Sequence, residues 1–579
     1  EMQRSLVGSE MCIRDRIMSA GYINIDGRDI MTYDHNGYTY RLESLYYADK
    51  YEQMWAKGHL SQYRHARYLV FGLGSGSFLR ALLNIIPEDA LVIVYEPDRS
   101  VYELACSRFN ADIVLADERI RFLCNSEYAD IFSLLTSNMS FYDINGCHIC
   151  IHPNYASIFA DEYNTFSKAV SDCAIQKKFG IDTTILNGKI LVDNVFANLL
   201  HLNNNYTIET LKNSFTSSVS AVLIASGPSL DSSIETIKRM KGHFFLLCVD
   251  SALPTLMKND IVPDMFISVD SVKELANFTD PRIAAIPAIF PTTCNHRIFE
   301  YHKAPAFFYS YGDDIVDFIA AENNSAIPHL EANSSVSNHA FAACLYLNLR
   351  NIICIGLDLA FPGNSTHSKN AVMYSDISSL KDRVTLPVKC NNGQTVMTDL
   401  QMNLYRILLE DRIRIHQDIN VINTSICGAY IEGSEFMNIE AAADEYSVPC
   451  FNLDLSHIDK SGWDFKQPFK KIITSQTDFY EGLIKTSEQL DKMKSLYSYF
   501  DDDTIQSILA SCDELFNIIN NRFDLQCICH YISADIQFEM KDINNNTDPL
   551  SVIAKYQTFF KGFADAYNHI IQLENNYIL

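Results

Sequence analysis

Basic charge is short in this sequence relative to acidic charge. Over 579 residues, Lys and Arg number 46 against 71 Asp and Glu, a formal net charge of −25. Phosphate backbones are held by clustered Lys and Arg, so this balance argues against a general nucleic-acid binder. It suits a self-repelling protein with neutral or small charged ligands. Long apolar runs are missing too. Nothing approaches the ~18 residues that a membrane span needs; residues 244–249 (FFLLCV) are only strand length. No HExxH, GxSxG or Walker A pattern occurs, and no DxD-like metal motif stands at a strand end, although Asp264 and Asp270 are close. These absences set aside zincins, nucleophile-elbow hydrolases and P-loop enzymes.

What remains is globular. Hydrophobic residues make up 47 % and charged residues 20 %, with 34 Phe and 31 Tyr to fill large cores, so a disordered chain is excluded. At ~150 residues per domain the length predicts three to four domains. Sixteen cysteines in a chain without a secretory signal predict reduced thiols and a cytoplasmic location rather than a disulfide framework. The chain starts at Glu1, and residues 5–16 (SLVGSEMCIRDR) resemble a translated sequencing adapter. Residues 1–16 are therefore set apart from fold reasoning.

Residues 17–205 alternate strand and helix patterns and read as an N-terminal α/β domain. Helical spacing dominates from 164 to 202, and the Asn run 203–205 marks a linker. Residues 206–454 repeat the alternation more clearly, with buried strands at 221–225 (AVLIA), 244–249, 265–269 (MFISV) and 352–355 (IICI). Continuous apolar strands between helices predict a parallel sheet covered on both faces. Residues 455–579 lose the strand signal and read as a helical region. The fold class is α/β, multidomain.

Two glycine turns carry candidate chemistry. The first is Gly72-Leu73-Gly74-Ser75-Gly76, between a strand and a helix, with Glu96 ending the next strand. It fits a nucleotide-binding turn and equally a tight turn with no ligand. The acidic residue that usually precedes a methyltransferase glycine turn is missing, which disfavours S-adenosylmethionine. The second is Ser226-Gly227-Pro228-Ser229, where Asp231 or Ser232 can cap the next helix and free backbone N–H groups can face a phosphate. Asp250, Asp270 and Asp358 end three further strands on the same edge, where open α/β sheets bind ligands. Asn333-Ser334-Ser335 opens another helix in the same way. The competing reading is helix caps and solvated strand ends. His367, in a loop nine residues past Asp358, suits general base work or is a surface histidine. Cys147-His148-Ile149-Cys150 and Cys527-Ile528-Cys529-His530 have metal-like spacing. They sit in a strand and a helix, however, and read as buried thiols; no metal is expected.

In family order, the stretches 221–230 (AVLIASGPSL), 249–253 (VDSAL), 263–270 (PDMFISVD), 333–340 (NSSVSNHA), 355–367 (IGLDLAFPGNSTH) and 423–433 (NTSICGAYIEG) resemble the motility accessory factor (Maf) glycosyltransferases. The turn at 72–76 with 95–98 (YEPD) resembles that family's N-terminal domain. The resemblance implies a central Rossmann-like domain, similar to type-A-like sialyltransferases. It also implies transfer of a pseudaminic or legionaminic type acid from a CMP-sugar to Ser or Thr of flagellin, in support of motility. Gly227, Pro228 and Ser229, with Ser226, match the turn that holds the nucleotide phosphate. Asp250 and Ser251 match a strand end touching the nucleotide. Ser334 and Ser335 match a Thr-Ser-Gly helix start in which Ser replaces Gly. Gly356 and Asp358 match a Gly-x-Asp strand end, and His367 a histidine near the reaction centre. Asp270 completes the nucleotide set, and His367 and Asp358 are the catalytic pair. Tyr374 is a candidate for the tyrosines that such enzymes place on the leaving phosphate. CMP-nonulosonic acid is then the donor, with no resident cofactor and no required metal. Flagellin is the protein partner, nucleic acid is not, and a homo-oligomer is left open. Two other readings stand beside this one: a 6-hydroxymethylpterin pyrophosphokinase-like enzyme, and a non-catalytic flagellin-binding accessory protein.

Overall fold

The computed structural model describes residues 19–577 apart from 45–47, 62–65, 89, 140–146, 274, 311–313, 331–334, 378–384 and, within 530–547, all but 532, 536 and 540. Residues 1–16 and Ser334 thus lie outside the described residues. Two compact units emerge, Glu1–Phe179 and Gly180–Leu579.

The first unit opens with an antiparallel meander, β1 (Ser19–Ile25), β2 (Arg28–His35) and β3 (Tyr38–Arg41). Its turns are Asp26-Gly27, with φ of 53° and 83°, and Asn36-Gly37, with φ of 55° and 82°. That is the left-handed backbone a two-residue hairpin demands. Then follow α1 (Ala48–Gly58), β4 (Arg67–Phe71), α2 (Ser77–Leu83), β5 (Leu91–Glu96), α3 (Arg99–Phe109), α4 (Ala111–Leu115), β6 (Ile120–Cys124), α5 (Tyr128–Asn138), β7 (Cys147–Ile151) and α6 (Tyr155–Ile158). The parallel sheet runs β6-β5-β4-β7. Helix α7 (Ala160–Asn203) continues past Gly180 into the second unit.

The second unit carries β8 (Tyr206–Thr207), β9 (Ala221–Ile224), α8 (Leu230–Met240), β10 (Phe245–Val249), α9 (Leu253–Lys258), β11 (Met265–Ile267), β12 (Ala288–Pro291), β13 (Ala306–Tyr309), α10 (Asp314–Glu322), α11 (Val336–Tyr346) and β14 (Asn351–Ile355). A hairpin β15 (Thr385–Lys389) and β16 (Thr395–Asp399), α12 (Leu400–Ile415), β17 (Asn420–Asn423), β18 (Glu435–Phe436) and α13 (Ile439–Glu445) complete the α/β part. Among the described residues its main sheet has nine strands, all parallel, in the order β18-β17-β14-β9-β10-β11-β12-β13-β8. The central strands β9, β10 and β11 are buried at every position, as a sheet covered on both faces requires. The expected parallel sheet is therefore present.

Helices α14 (Lys466–Ser495), α15 (Asp502–Asn521), α16 (Phe523–Cys529) and α17 (Pro549–Tyr577) follow the α/β part within the same compact unit. They share one hydrophobic core with the sheet. Phe469 of α14 meets Phe196 of α7 with ring centroids 5.5 Å apart.

Candidate functional site

The sheet order places the site. From β9 the chain steps outward through β10, β11, β12 and β13, then returns to lay β14 on the other flank of β9. Strand order reverses there, and ligands in open α/β sheets gather outside the C-terminal strand ends at such a point. The ends of β9 and β14 run in contact. The Ala225 N–H donates to Ile355 O, and the Gly227 N–H to Gly356 O, both at 2.8 Å. A Cβ on Gly227 would lie 2.3 Å from Asp358 Oδ2 and 2.5 Å from Gly356 O. Gly356 has φ of 69°, and a Cβ there would lie 2.3 Å from Ala225 O. Both positions admit glycine for steric reasons alone.

Asp358 is the brace of this junction. It is 2 % exposed. Its Oδ2 accepts the Ser229 N–H at 2.8 Å, and its Oδ1 accepts the Ser425 hydroxyl. Ser425 is itself fixed, its Oγ accepting the Gly428 N–H at 3.0 Å and its N–H donating to Asn423 Oδ1 at 3.0 Å. Burial pushes the Asp358 carboxyl above the ordinary range, against the hydrogen bonds from Ser425 and Ser229.

This geometry corrects two sequence expectations. Helix α8 is not capped by Asp231 or Ser232: Ser229 holds the N-cap position without a side-chain cap, and the capping carboxylate comes from Asp358, 129 residues on. The turn's N–H groups are not free either. Gly227 donates to Gly356 O, Ser229 to Asp358, Leu230 to Gly227 O and Asp231 to Pro228 O. The anion position at this helix start is filled by the protein's own carboxylate. Hydroxyls remain beside it: Ser226 Oγ lies 2.8 Å from Ser251 Oγ.

One group was missed. Lys273 Nζ lies 3.1 Å from Asp250 Oδ1 and 3.3 Å from Asp270 Oδ2. Asp250 is fully buried, and its Oδ2 accepts the Ser268 hydroxyl at 2.5 Å. Burial raises the Asp250 pKa despite the pull of Lys273. For Lys273, burial opposes the charge, but Asp250 and Asp270 outweigh it and hold the pKa above the ordinary lysine value. An ammonium thus stands at the ends of β10 and β11. The only signal in the sequence was a lysine three residues after Asp270.

His367 is half-buried in a loop fastened to the same junction. The next residue, Ser368, donates its N–H to Ser226 O at 2.8 Å, and its Oγ lies 2.7 Å from Thr255 Oγ1. The Lys369 N–H reaches Asp231 Oδ2 at 3.2 Å. The structure therefore brings Ser226, Gly227, Pro228, Ser229, Ser251, Gly356, Asp358 and the His367 loop together, with Asp250, Asp270 and Lys273 along the same edge. Ser335 sits at the start of α11 as its cap, its Oγ accepting the Asn338 N–H at 3.1 Å. Tyr374 is exposed.

The glycine turn of the first unit is packed by its own neighbours. A Cβ on Gly72 would lie 2.3 Å from the Tyr155 ring, and one on Gly74 would lie 2.4 Å from His152 Nε2. Glu96 Oε2 accepts the Leu73 N–H at 2.7 Å and the Tyr155 hydroxyl at 2.9 Å. The strand-end carboxylate beside the turn is spent on the turn itself and on Tyr155.

Residues 193–364 match the family model described as 6-hydroxymethylpterin diphosphokinase MptE-like. An uncharacterized protein of Treponema pallidum (strain Nichols) is 27 % identical over 136 residues, which cover 18 % of this chain and 35 % of that protein. The match thus spans about a third of that relative's length. A solved structure, the MAf glycosyltransferase from Magnetospirillum magneticum AMB-1, superposes with a TM-score of 0.50 at 14 % identity, covering 96 % of this chain and 91 % of that one. No helix among the described residues is long and apolar enough to cross a membrane. The likeness to Maf proteins read from the sequence is carried by the fold: this chain has the architecture of a Maf glycosyltransferase over nearly its whole length, with an MptE-like segment at its centre.

Proposed function

We propose that this protein is a cytoplasmic glycosyltransferase that moves a nonulosonic acid of the pseudaminic or legionaminic type from a CMP-sugar to Ser or Thr of flagellin. The observation that carries the reading is the ammonium of Lys273 on the same strand-end edge as the Ser226–Ser251 hydroxyl pair and the His367 loop. Breaking the anomeric C–O bond builds oxocarbenium character on the sugar and negative charge on the departing phosphate. Lys273, steadied between Asp250 and Asp270, supplies the opposing positive charge. His367 takes the proton of the acceptor hydroxyl. Asp358 is a positioning residue, because its oxygens are taken by the Ser229 N–H and the Ser425 hydroxyl rather than facing a substrate. Ser226, Ser251, Ser335, Gly356 and Asp270 line the nucleotide side.

Purified protein is incubated with a CMP-nonulosonic acid and flagellin, and flagellin is weighed by mass spectrometry. Glycan mass should appear. His367→Ala should lower the rate by ~10²–10⁴-fold with donor affinity kept, and Lys273→Met should weaken donor binding. The MptE-like match favours a second reading, diphosphate transfer from ATP to 6-hydroxymethylpterin. Formation of the pterin diphosphate with flagellin mass unchanged would replace the first reading with the second. Flagellin binding without either product would leave an accessory protein.

A further inference from the structure

The sequence reads Cys147-His148-Ile149-Cys150 as buried thiols of a strand, and Cys150 is indeed buried in β7. Of the second cysteine pattern, Cys529 is half-buried in α16, and His530 lies outside the described residues. The first pattern has a partner that spacing could not reveal. Strand alternation puts His148 and Cys150 on one face of β7, the edge strand of its sheet. His59, just after α1 and 89 residues earlier, meets them there. Its Nδ1 lies 3.3 Å from His148 Nε2. The ligand atoms of His59, His148 and Cys150 all lie within 4.8 Å of one another.

The place is built by packed elements. The Trp55 ring of α1 lies against His59 with centroids 4.6 Å apart, and its Nε1–H donates to Ile151 O at 2.9 Å. That contact ties α1 to the end of β7. Tyr68 on β4 stands opposite His148 in the ladder, with ring centroids 6.3 Å apart.

We propose that His59, His148 and Cys150 form a binding site for a borderline transition-metal cation of the Zn²⁺ class. Two imidazole nitrogens on a tetrahedral zinc with Zn–N bonds of ~2.0–2.1 Å are about 3.3 Å apart, the separation found here. A thiolate at ~2.3 Å takes the third position, and the fourth is left to water or another ligand. Two imidazoles and a thiolate suit zinc or copper over magnesium or calcium, which prefer oxygen. The ligating sulfur is a thiolate, so metal entry displaces the Cys150 Sγ proton to solvent. The site belongs to the first unit and does not rest on the transferase reading.

The test uses the full chain, stripped with chelator and titrated with Co²⁺. One equivalent should bind with tetrahedral visible bands and a thiolate-to-cobalt charge-transfer band, and Zn²⁺ should displace it. Cys150→Ser should abolish the charge-transfer band, whereas Cys427→Ser, at an exposed cysteine, should keep it. His59→Gln, folded by circular dichroism, should weaken Co²⁺ binding by about tenfold or more. No charge-transfer band in the parent, a band that survives Cys150→Ser, or parent affinity in His59→Gln would each overturn the proposal. If Cys150→Ser does not fold, the affinity of His59→Gln decides.

Discussion

Glu96 receives three donors, from Leu73, Asp98 and Tyr155, yet exposes no surface. Burial outweighs the donors and raises its pKa from 4.5 to about 7. A carboxyl whose pKa is raised by folding favours the folded state most when protonated. Its contribution is full below the unfolded value and is lost as pH rises through the folded one. At ~1.4 kcal/mol per pH unit the swing is about 3 kcal/mol. Melting curves should therefore show the first unit losing stability between about pH 5 and 7. Glu96→Gln should flatten that slope: it should cost about 1–3 kcal/mol below pH 5, where an amide N–H faces donors, and less above pH 7, where the parent has lost its own contribution. A slope that persists in Glu96→Gln would mean another group titrates. The strand-end carboxylate was legible in the sequence. Its consumption by Tyr155 was not, since that residue comes 59 positions later and carries no local sign. Lys273 escaped for a related reason: its meaning comes from Asp250, on a different strand.

At the level of elements, the β9–α8 turn shows what a backbone junction tolerates. Gly227→Ala places a methyl against Asp358 Oδ2 and the Gly356 carbonyl, and the second of these is backbone that cannot swing aside. Unfolding in urea should show a loss of about 1–3 kcal/mol. Titration with CMP should show weakened binding in the fraction that folds. A variant of parent stability would mean the two strand ends separate more readily than their hydrogen bonds indicate. The buried strands of the second unit were legible because parallel strands covered on both faces are apolar throughout. Helix α7, read over 164–202, spans Ala160–Asn203. The meander at the start of the chain was overlooked, although Asp26-Gly27 and Asn36-Gly37 carry its turn chemistry. The cap of α8 was misplaced because local rules look for a side chain nearby, and here a carboxylate from the end of the neighbouring strand, 129 residues on, takes that position.

As a whole the molecule has two compact units, so unfolding should not be a single two-state event. Calorimetry is the check: the van't Hoff enthalpy should fall below the calorimetric enthalpy, and equality of the two would show one cooperative block. The α/β class was readable from alternating strand and helix patterns. The shared core that joins the C-terminal helices to the sheet was not, because contacts such as Phe196 with Phe469 bridge 273 residues and leave no trace in periodicity. The nine-stranded sheet ends in two stubs, Tyr206–Thr207 on one side and Glu435–Phe436 on the other. A broad apolar sheet is by nature a template for foreign strands, and unpaired N–H and C=O groups at its margins are where such recruitment starts. With two residues at each margin, an incoming chain finds almost no ladder to extend. The width that creates the site is thus kept from becoming a seed for aggregation.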